Sequence, residues 1–197
     1  MIVALALAGG QARRMGGGDK VLLPLGGATV LDAMLARLAP QVAQVAISAN
    51  GDAARFGRFG LPVLADPPWA QGPLAGVAAG LTWAAGLGAA SLLTVPGDTP
   101  FIPKDLVARL RPAPAWAESG GAVHRLVALW PVAAGPLLEA WLRGGGSLRV
   151  LDFGLSLGMR GVAFPETPDP FLNINTPADL AQAEALGKAA ARPHLGA

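Results

Sequence analysis

The chain has 197 residues, with no cysteine, no tyrosine, two histidines and three lysines, and only 14% of its residues are charged. Without cysteine there is no disulfide framework, no thiolate-ligated zinc or iron–sulfur centre and no thiol nucleophile. Two histidines leave little for a His-rich metal site. Chemistry must therefore come from carboxylates, lysine, arginine, amides or the backbone. The net charge is +2, and the arginines are scattered except for Arg13-Arg14. The basic stripe with interleaved aromatics that marks a polyanion binder is missing, so no nucleic-acid partner is expected. Long lipid-spanning runs are missing too. The longest apolar stretch, Leu74 to Leu93, is broken by Gly76, Gly80, Gly86 and Gly88 with Thr82 and Ser91. It lacks the large-aliphatic density of a span of about 20 residues, and it reads as a buried helix followed by a buried strand. Met1 to Leu7 is apolar without a basic n-region, unlike a secretory signal. The expectation is a soluble, cytoplasmic protein without a membrane partner.

What is present is 52% hydrophobic residues, 27 glycines and 18 prolines. At this length a chain buries about 70% of its extended surface and needs no staples. One domain over residues 1–188 with a loose tail at 189–197 is expected. The runs Ile2–Leu7, Val42–Ala49, Pro62–Ala65 and Ser91–Val95 are continuous apolar segments bounded by turn residues, as in strands buried on both faces. Between them Val30, Leu31, Met34, Leu35 and Leu38 recur at helical spacing, and Leu74–Ala85 has a similar face. This alternation predicts an α/β fold, a three-layer α/β/α sandwich on a mostly parallel, doubly wound, Rossmann-like sheet, with ligands beyond the carboxyl ends of the strands. Further on, His124–Pro131, Gly161–Phe164 and Phe171–Asn175 read as strands and Pro136–Arg143 as a helix, while Pro112–Gly121 reads as a short connection. The final helix carries Thr176 as N-cap, Pro177 in the first turn, Asp179 in capping-box position and Gly187 past its end.

The strongest chemical feature is the loop after the first strand, Leu7-Ala8-Gly9-Gly10-Gln11-Ala12-Arg13-Arg14-Met15-Gly16-Gly17-Gly18-Asp19-Lys20. Glycines let backbone N–H groups approach phosphate oxygens, arginines fork onto them and a terminal lysine adds a point charge. Neither a Walker A loop nor the G-x-G-x-x-G fingerprint can be laid on it. A solvated glycine-rich loop with incidental arginines is the bland alternative, weakened because one of three lysines sits here. Asp98 follows the strand Ser91–Val95 and can hold a Mg²⁺ ion or merely cap a turn. Asp66 precedes Pro67-Pro68, and Gly72–Gly76 opens a helix whose N-terminus favours anions.

Leu-Ala-Gly-Gly, then Arg-Met-Gly, Asp-Lys and Leu-Leu-Pro-Leu resemble the nucleotide-binding signature of nucleotidyltransferases, in particular the molybdenum cofactor guanylyltransferase (MobA) family. Ala65-Asp66, Gly72-Pro73-Leu74-Ala75-Gly76, Val95-Pro96-Gly97-Asp98-Thr99-Pro100-Phe101 and Asn173-Ile174-Asn175-Thr176-Pro177 follow in that family's order. The resemblance implies transfer of GMP from GTP to Mo-molybdopterin with release of pyrophosphate, with Mg²⁺ as cofactor. It implies nucleotide contacts at Leu7, Ala8, Gly9, Gly10, Lys20, Ser48, Asn50, Asp66, Gly76 and Asp98. Relatives commonly carry Asn at both outer positions of Ser48-Ala49-Asn50, one of them a nucleotide contact, and with Ser48 in the first place that contact falls to Ser48, to Asn50 or to neither. Asp98 is implied as the metal ligand, and Asn173 and Asn175 as part of the second substrate's pocket. Catalysis is then expected from Lys20, Arg14 and Asp98, with the amides of Ala8–Gly10 and Arg14 on the triphosphate. His124, followed by Arg125 where relatives have Pro, is left without a catalytic role.

Two alternatives stay open at this point. A sister transferase would use CTP on the same cofactor, or a sugar or polyol phosphate as acceptor; Ala8-Gly9-Gly10 favours guanine by resemblance. A non-catalytic nucleotide-binding module or chaperone for molybdenum enzymes is the other, against which the retention of Lys20 and Asp98 speaks. With GTP and Mo-molybdopterin as substrates, transient contact with cofactor-delivering or acceptor molybdenum enzymes is a further expectation.

Overall fold

In a computed structural model that describes residues 1–9 and 19–191, side chains 188–191 excepted, the first strand sets the layering. Strand β1 (Ile2–Leu7) buries Val3 and Leu5 on one face and Ala4 and Ala6 on the other, all four fully. A strand apolar on both faces needs helices on both sides. A two-residue hairpin, β2 (Pro24–Leu25) and β3 (Ala28–Thr29), leads into helix α1 (Val30–Leu38). There Thr29 caps reciprocally with Asp32: the Asp32 N–H donates to Thr29 Oγ1 at 3.3 Å and the Thr29 N–H to Asp32 Oδ2 at 2.8 Å. Strands β4 (Val45–Ser48) and β5 (Val63–Leu64) follow, then α2 (Pro73–Gly86), β6 (Ser91–Pro96), α3 (Leu106–Leu110), β7 (Ala115–Ser119) and β8 (Ala122–Pro131). Helices α4 (Ala134–Arg143) and α5 (Val150–Ser156), strand β9 (Arg160–Ala163) and helix α6 (Pro177–Ala191) complete the described chain.

The sheet order is β5-β4-β1-β6-β8-β7-β9, parallel throughout except that β8 runs antiparallel to both its neighbours. Residues of α1 and α3 pack with Ala4, Ala6 and Ile47 on one face, and residues of α2, α4 and α5 with Val3, Leu5 and Leu92 on the other. The expected three-layer α/β/α sandwich is therefore present. Helix α2 lies tight on the sheet because glycine faces it. A Cβ at Gly80 would stand 2.7 Å from Leu5 Cδ2 and 2.8 Å from Leu92 Cδ2.

Three local expectations are corrected. Residues 112–121 are not a bare connection: Ala115–Ser119 forms β7, paired with both β8 and β9. Phe171–Asn175 is not a strand. Its amides are taken singly, that of Phe171 by Asp169 Oδ1 at 2.9 Å and that of Ile174 by the Asp98 carbonyl at 3.0 Å, which leaves no ladder. The capping box at Thr176 and Asp179 forms as expected, but α6 runs through Gly187 to Ala191, past residue 188. A single helical glycine costs about 1 kcal/mol, and the alanines and lysine around it are strong helix formers that carry the helix through.

Candidate active site

Strands β1, β4 and β6 end side by side at Leu7, Ser48 and Pro96. The chain leaves β1 toward β4 through α1 on one face and reaches β6 through α2 on the other, so the strand order reverses between β1 and β6. Crevices open at such reversals. Here a cleft of about 450 Å³ is lined by Leu7, Ala8, Gly9, Lys20, Val21, Ser48, Asp66, Gly72, Gly76 and Asp98, among others. Eight of the residues expected from the sequence thus share one cavity. Gly10 and Arg14 lie outside the described residues.

Lys20 opens a short 3₁₀ turn, and its ammonium stands 3.2 Å from Asp98 Oδ2 and 2.6 Å from Asn175 Oδ1. The Lys20 and Asp98 side chains are mostly shielded, 18% and 15% exposed. Asp98 is fixed by its backbone: the Gly97 N–H donates to the Leu7 carbonyl at 2.9 Å and the Ile174 N–H to the Asp98 carbonyl at 3.0 Å. Gly97 itself packs against the lysine turn, where a Cβ would meet Val21 Cγ1 at 2.9 Å. The Asn175 and Thr176 amides both donate to Asp179 Oδ2, at 2.9 and 2.8 Å. The Asn175 bond first, then the Thr176 contacts and the nearby Lys20 charge, hold the Asp179 carboxyl below the usual range.

On the other side, Asn50 and Asp66 bind reciprocally. Asn50 Nδ2 donates to Asp66 Oδ2 at 2.7 Å, and the Asp66 N–H donates to Asn50 Oδ1 at 2.9 Å. Asp66 lines the cleft and Asn50 holds it there. Ser48, the other candidate at this position, also lines the cleft but is only 4% exposed, packed under Gly76. One expectation changes. The Ala8 N–H donates to the Ser48 carbonyl at 2.9 Å, so it serves the sheet, and an amide cradle for phosphate begins no earlier than Gly9. A Cβ at Gly9 would meet no atom within 4 Å, which leaves that backbone open to close approach.

One residue near the site, Arg55, carried no signal in the sequence. Arg55 places Nε 2.6 Å from Asp19 Oδ2, an ion pair off the line of the N–H, and donates through Nη2 to the Asn50 carbonyl at 2.7 Å. It thereby ties the exit of the glycine-rich loop to the end of β4. The Asp19-Lys20 pair marked one end of this bridge, but nothing in the Arg55 neighbourhood marked the other.

A second cleft of about 520 Å³ adjoins the first and shares Pro73, Pro96 and Leu126 with it. Its polar lining is His124, Arg125, Arg149 and Asn173. It exists because the β7–β8 ladder slips: Trp116 pairs with Ala128 but Ala117 with His124, so Arg125, Leu126 and Val127 bulge out of register over the cleft. His124 meets Ser119 Oγ through Nε2 at 2.6 Å, and Ser119 donates to Asp169 Oδ1 at 2.7 Å. Burial pushes the His124 imidazole below its ordinary pKa, against the pull of the Asp169 carboxylate and the Ser119 contact. Asn173 and Asn175 flank the fully buried Ile174 and are both exposed, yet they diverge in use: Asn173 lines the second cleft and Asn175 reaches Lys20.

Among the described residues no group of three His, Cys, Asp or Glu side chains could hold a metal, and no helix is long and apolar enough to cross a membrane. Residues 4–157 match the MobA-like NTP transferase domain. The chain belongs to that family. As a MobA-like protein it is 57% identical to the molybdenum cofactor guanylyltransferase of Acidiphilium cryptum, over 92% of this chain and 93% of that one. Its fold is that of molybdopterin-guanine dinucleotide biosynthesis protein A from Archaeoglobus fulgidus, with a TM-score of 0.72 at 23% identity, covering 96% and 100% of the two chains. A Mycobacterium tuberculosis protein solved as a manganese complex shares the fold at a TM-score of 0.62 and 20% identity, covering 93% of this chain and 98% of that one. The MobA-like chain is thus a nucleotidyltransferase.

Proposed function

We propose that this chain transfers GMP from GTP to the terminal phosphate of Mo-molybdopterin and releases pyrophosphate. The observation that carries the reading is the Lys20–Asp98 pair at the β1/β6 reversal, in a cleft that opens through Leu126 into a second one. Transfer between two substrates needs two adjoining sites and a charged junction. The name of the Acidiphilium cryptum relative supports guanine as the base and the molybdenum cofactor as acceptor.

In this reading the triphosphate lies along Gly9 and the base toward Asp66, Ser48 and Gly76, and Gly10 and Arg14 are proposed as further triphosphate contacts. A phosphate oxygen of molybdopterin attacks the α-phosphorus in line, the bond to the bridging oxygen breaks, and pyrophosphate leaves with that electron pair. Lys20 meets the charge that grows on the phosphates. Asp98 is the residue that would hold Mg²⁺, and the donor set fits: one carboxylate at a strand end suits a cation that takes one or two carboxylates and completes its shell with phosphates and water. When bound, the ion supplies charge neutralisation on the phosphates. Asn173 faces the second substrate from the adjoining cleft, together with Arg125 and Arg149. The same reading sets the reaction in the cytoplasm, within a single domain.

The test is pyrophosphate release on mixing the protein with molybdopterin, Mg²⁺ and GTP, CTP or ATP. Release with GTP is expected. Consumption of CTP alone contradicts the guanylyl assignment, and tight GTP binding without pyrophosphate contradicts transfer.

A further inference from the structure

The Lys20 ammonium has three protons and no acceptor capacity. One proton faces Asp98 Oδ2 at 3.2 Å and another faces Asn175 Oδ1 at 2.6 Å, so the direction of the third is set by these two partners. Lys20 lines the nucleotide cleft, and among the described residues that third N–H is the one left for a ligand. The two acceptors form one frame. The Ile174 N–H donates to the Asp98 carbonyl, Ile174 is fully buried, and the Asn175 and Thr176 amides are clasped by the Asp179 carboxylate at the start of α6. Asn175 lies beyond the residues 4–157 that match the family domain, on the segment otherwise assigned to the second substrate.

We infer that Asn175 is a positioning residue for Lys20, fixing the ammonium for the triphosphate before any second substrate arrives. The inference rests on the nucleotidyl-transfer reading above and deepens it: an element of the second substrate's half controls the donor half. Asp98 would give up its carboxylate to a bound cation, and Asn175 Oδ1 would then be the neutral acceptor that keeps the lysine in place.

The experiment is equilibrium binding of GTP with Mg²⁺, without molybdopterin, to the wild type and to Asn175→Ala, Lys20→Ala and the double variant, followed by steady-state kinetics. The Asn175 side chain is exposed and its backbone is held by Asp179, so Asn175→Ala is expected to fold, with an unchanged melting temperature as the check. Asn175→Ala should weaken GTP about tenfold, as expected for a lost hydrogen bond to a charged group, and should lower kcat. On the Lys20→Ala background the same change should have no further effect. Asn175→Asp, which keeps an acceptor oxygen for the ammonium and lacks the amide donors, should retain more kcat than Asn175→Ala. Wild-type GTP affinity in Asn175→Ala with only the KM for molybdopterin raised overturns the inference, as does additivity with Lys20→Ala. A wild type that binds CTP and not GTP contradicts the guanylyl reading instead, and the variant comparison then runs with CTP.

Discussion

Gly76 faces Ser48 so closely that a Cβ on it would lie 2.9 Å from Ser48 Oγ and 3.1 Å from Leu7 Cδ2. The first turn of α2 is thereby set against the ends of β4 and β1, where it forms one wall of the cleft proposed to hold the nucleotide. Gly76→Ala should force that turn outward or twist Ser48, at an overpacking cost of about 1–3 kcal/mol. Denaturant unfolding should show the loss, and nucleotide affinity should fall with it. Unchanged stability and affinity would mean that the helix is free to move.

Asn50 reaches the nucleotide through Asp66 in this account. Asn50→Ala removes both arms of the reciprocal pair and leaves the carboxylate free to swing from the cleft. Because the pair is exposed, the expected effect is that of an ordinary hydrogen bond, about 1 kcal/mol, or roughly fivefold in GTP affinity. Isothermal titration checks it. A loss in Asn50→Ala much larger than in Asp66→Ala would make Asn50 itself the contact.

His124 gives a pH dependence with a definite sign. Its folded pKa lies below the ordinary 6.5, so the unfolded chain binds a proton that the folded chain refuses between the two values. Its contribution to stability is fully present above pH 6.5 and is lost as pH falls through the folded pKa. The stability difference between wild type and His124→Asn should therefore shrink on going from neutral to acid. A difference that grows with acidity would mean that the Asp169 carboxylate, not burial, governs the imidazole.

Much of the fold was legible because β1, β4 and β6 are apolar on both faces and punctuated by turns. Strand β7 was hidden because Ala-Trp-Ala-Glu-Ser is short and lies among prolines, and its identity comes from pairing with β8 and β9. Phe171–Asn175 has the composition of a strand, but a local acceptor at Asp169 and a tertiary one at Asp98 claim two of its amides. At the site, Lys20 and Asp98 were legible from motifs at two strand ends. The pairing of Asn175 with Lys20 was not, since the two stand 155 positions apart and were assigned to different substrates. Arg55 escaped for the same reason, its partner Asp19 belonging to another strand's loop.

In the proposed transfer the Lys20 ammonium stabilises the charge that develops on the phosphates. The measurement that tests it most directly is the rate of pyrophosphate release by Lys20→Ala with saturating GTP, Mg²⁺ and molybdopterin. The account predicts a loss of about 10²–10³ in kcat, the scale of removing one preorganised electrostatic partner. Turnover equal to that of the wild type would contradict it.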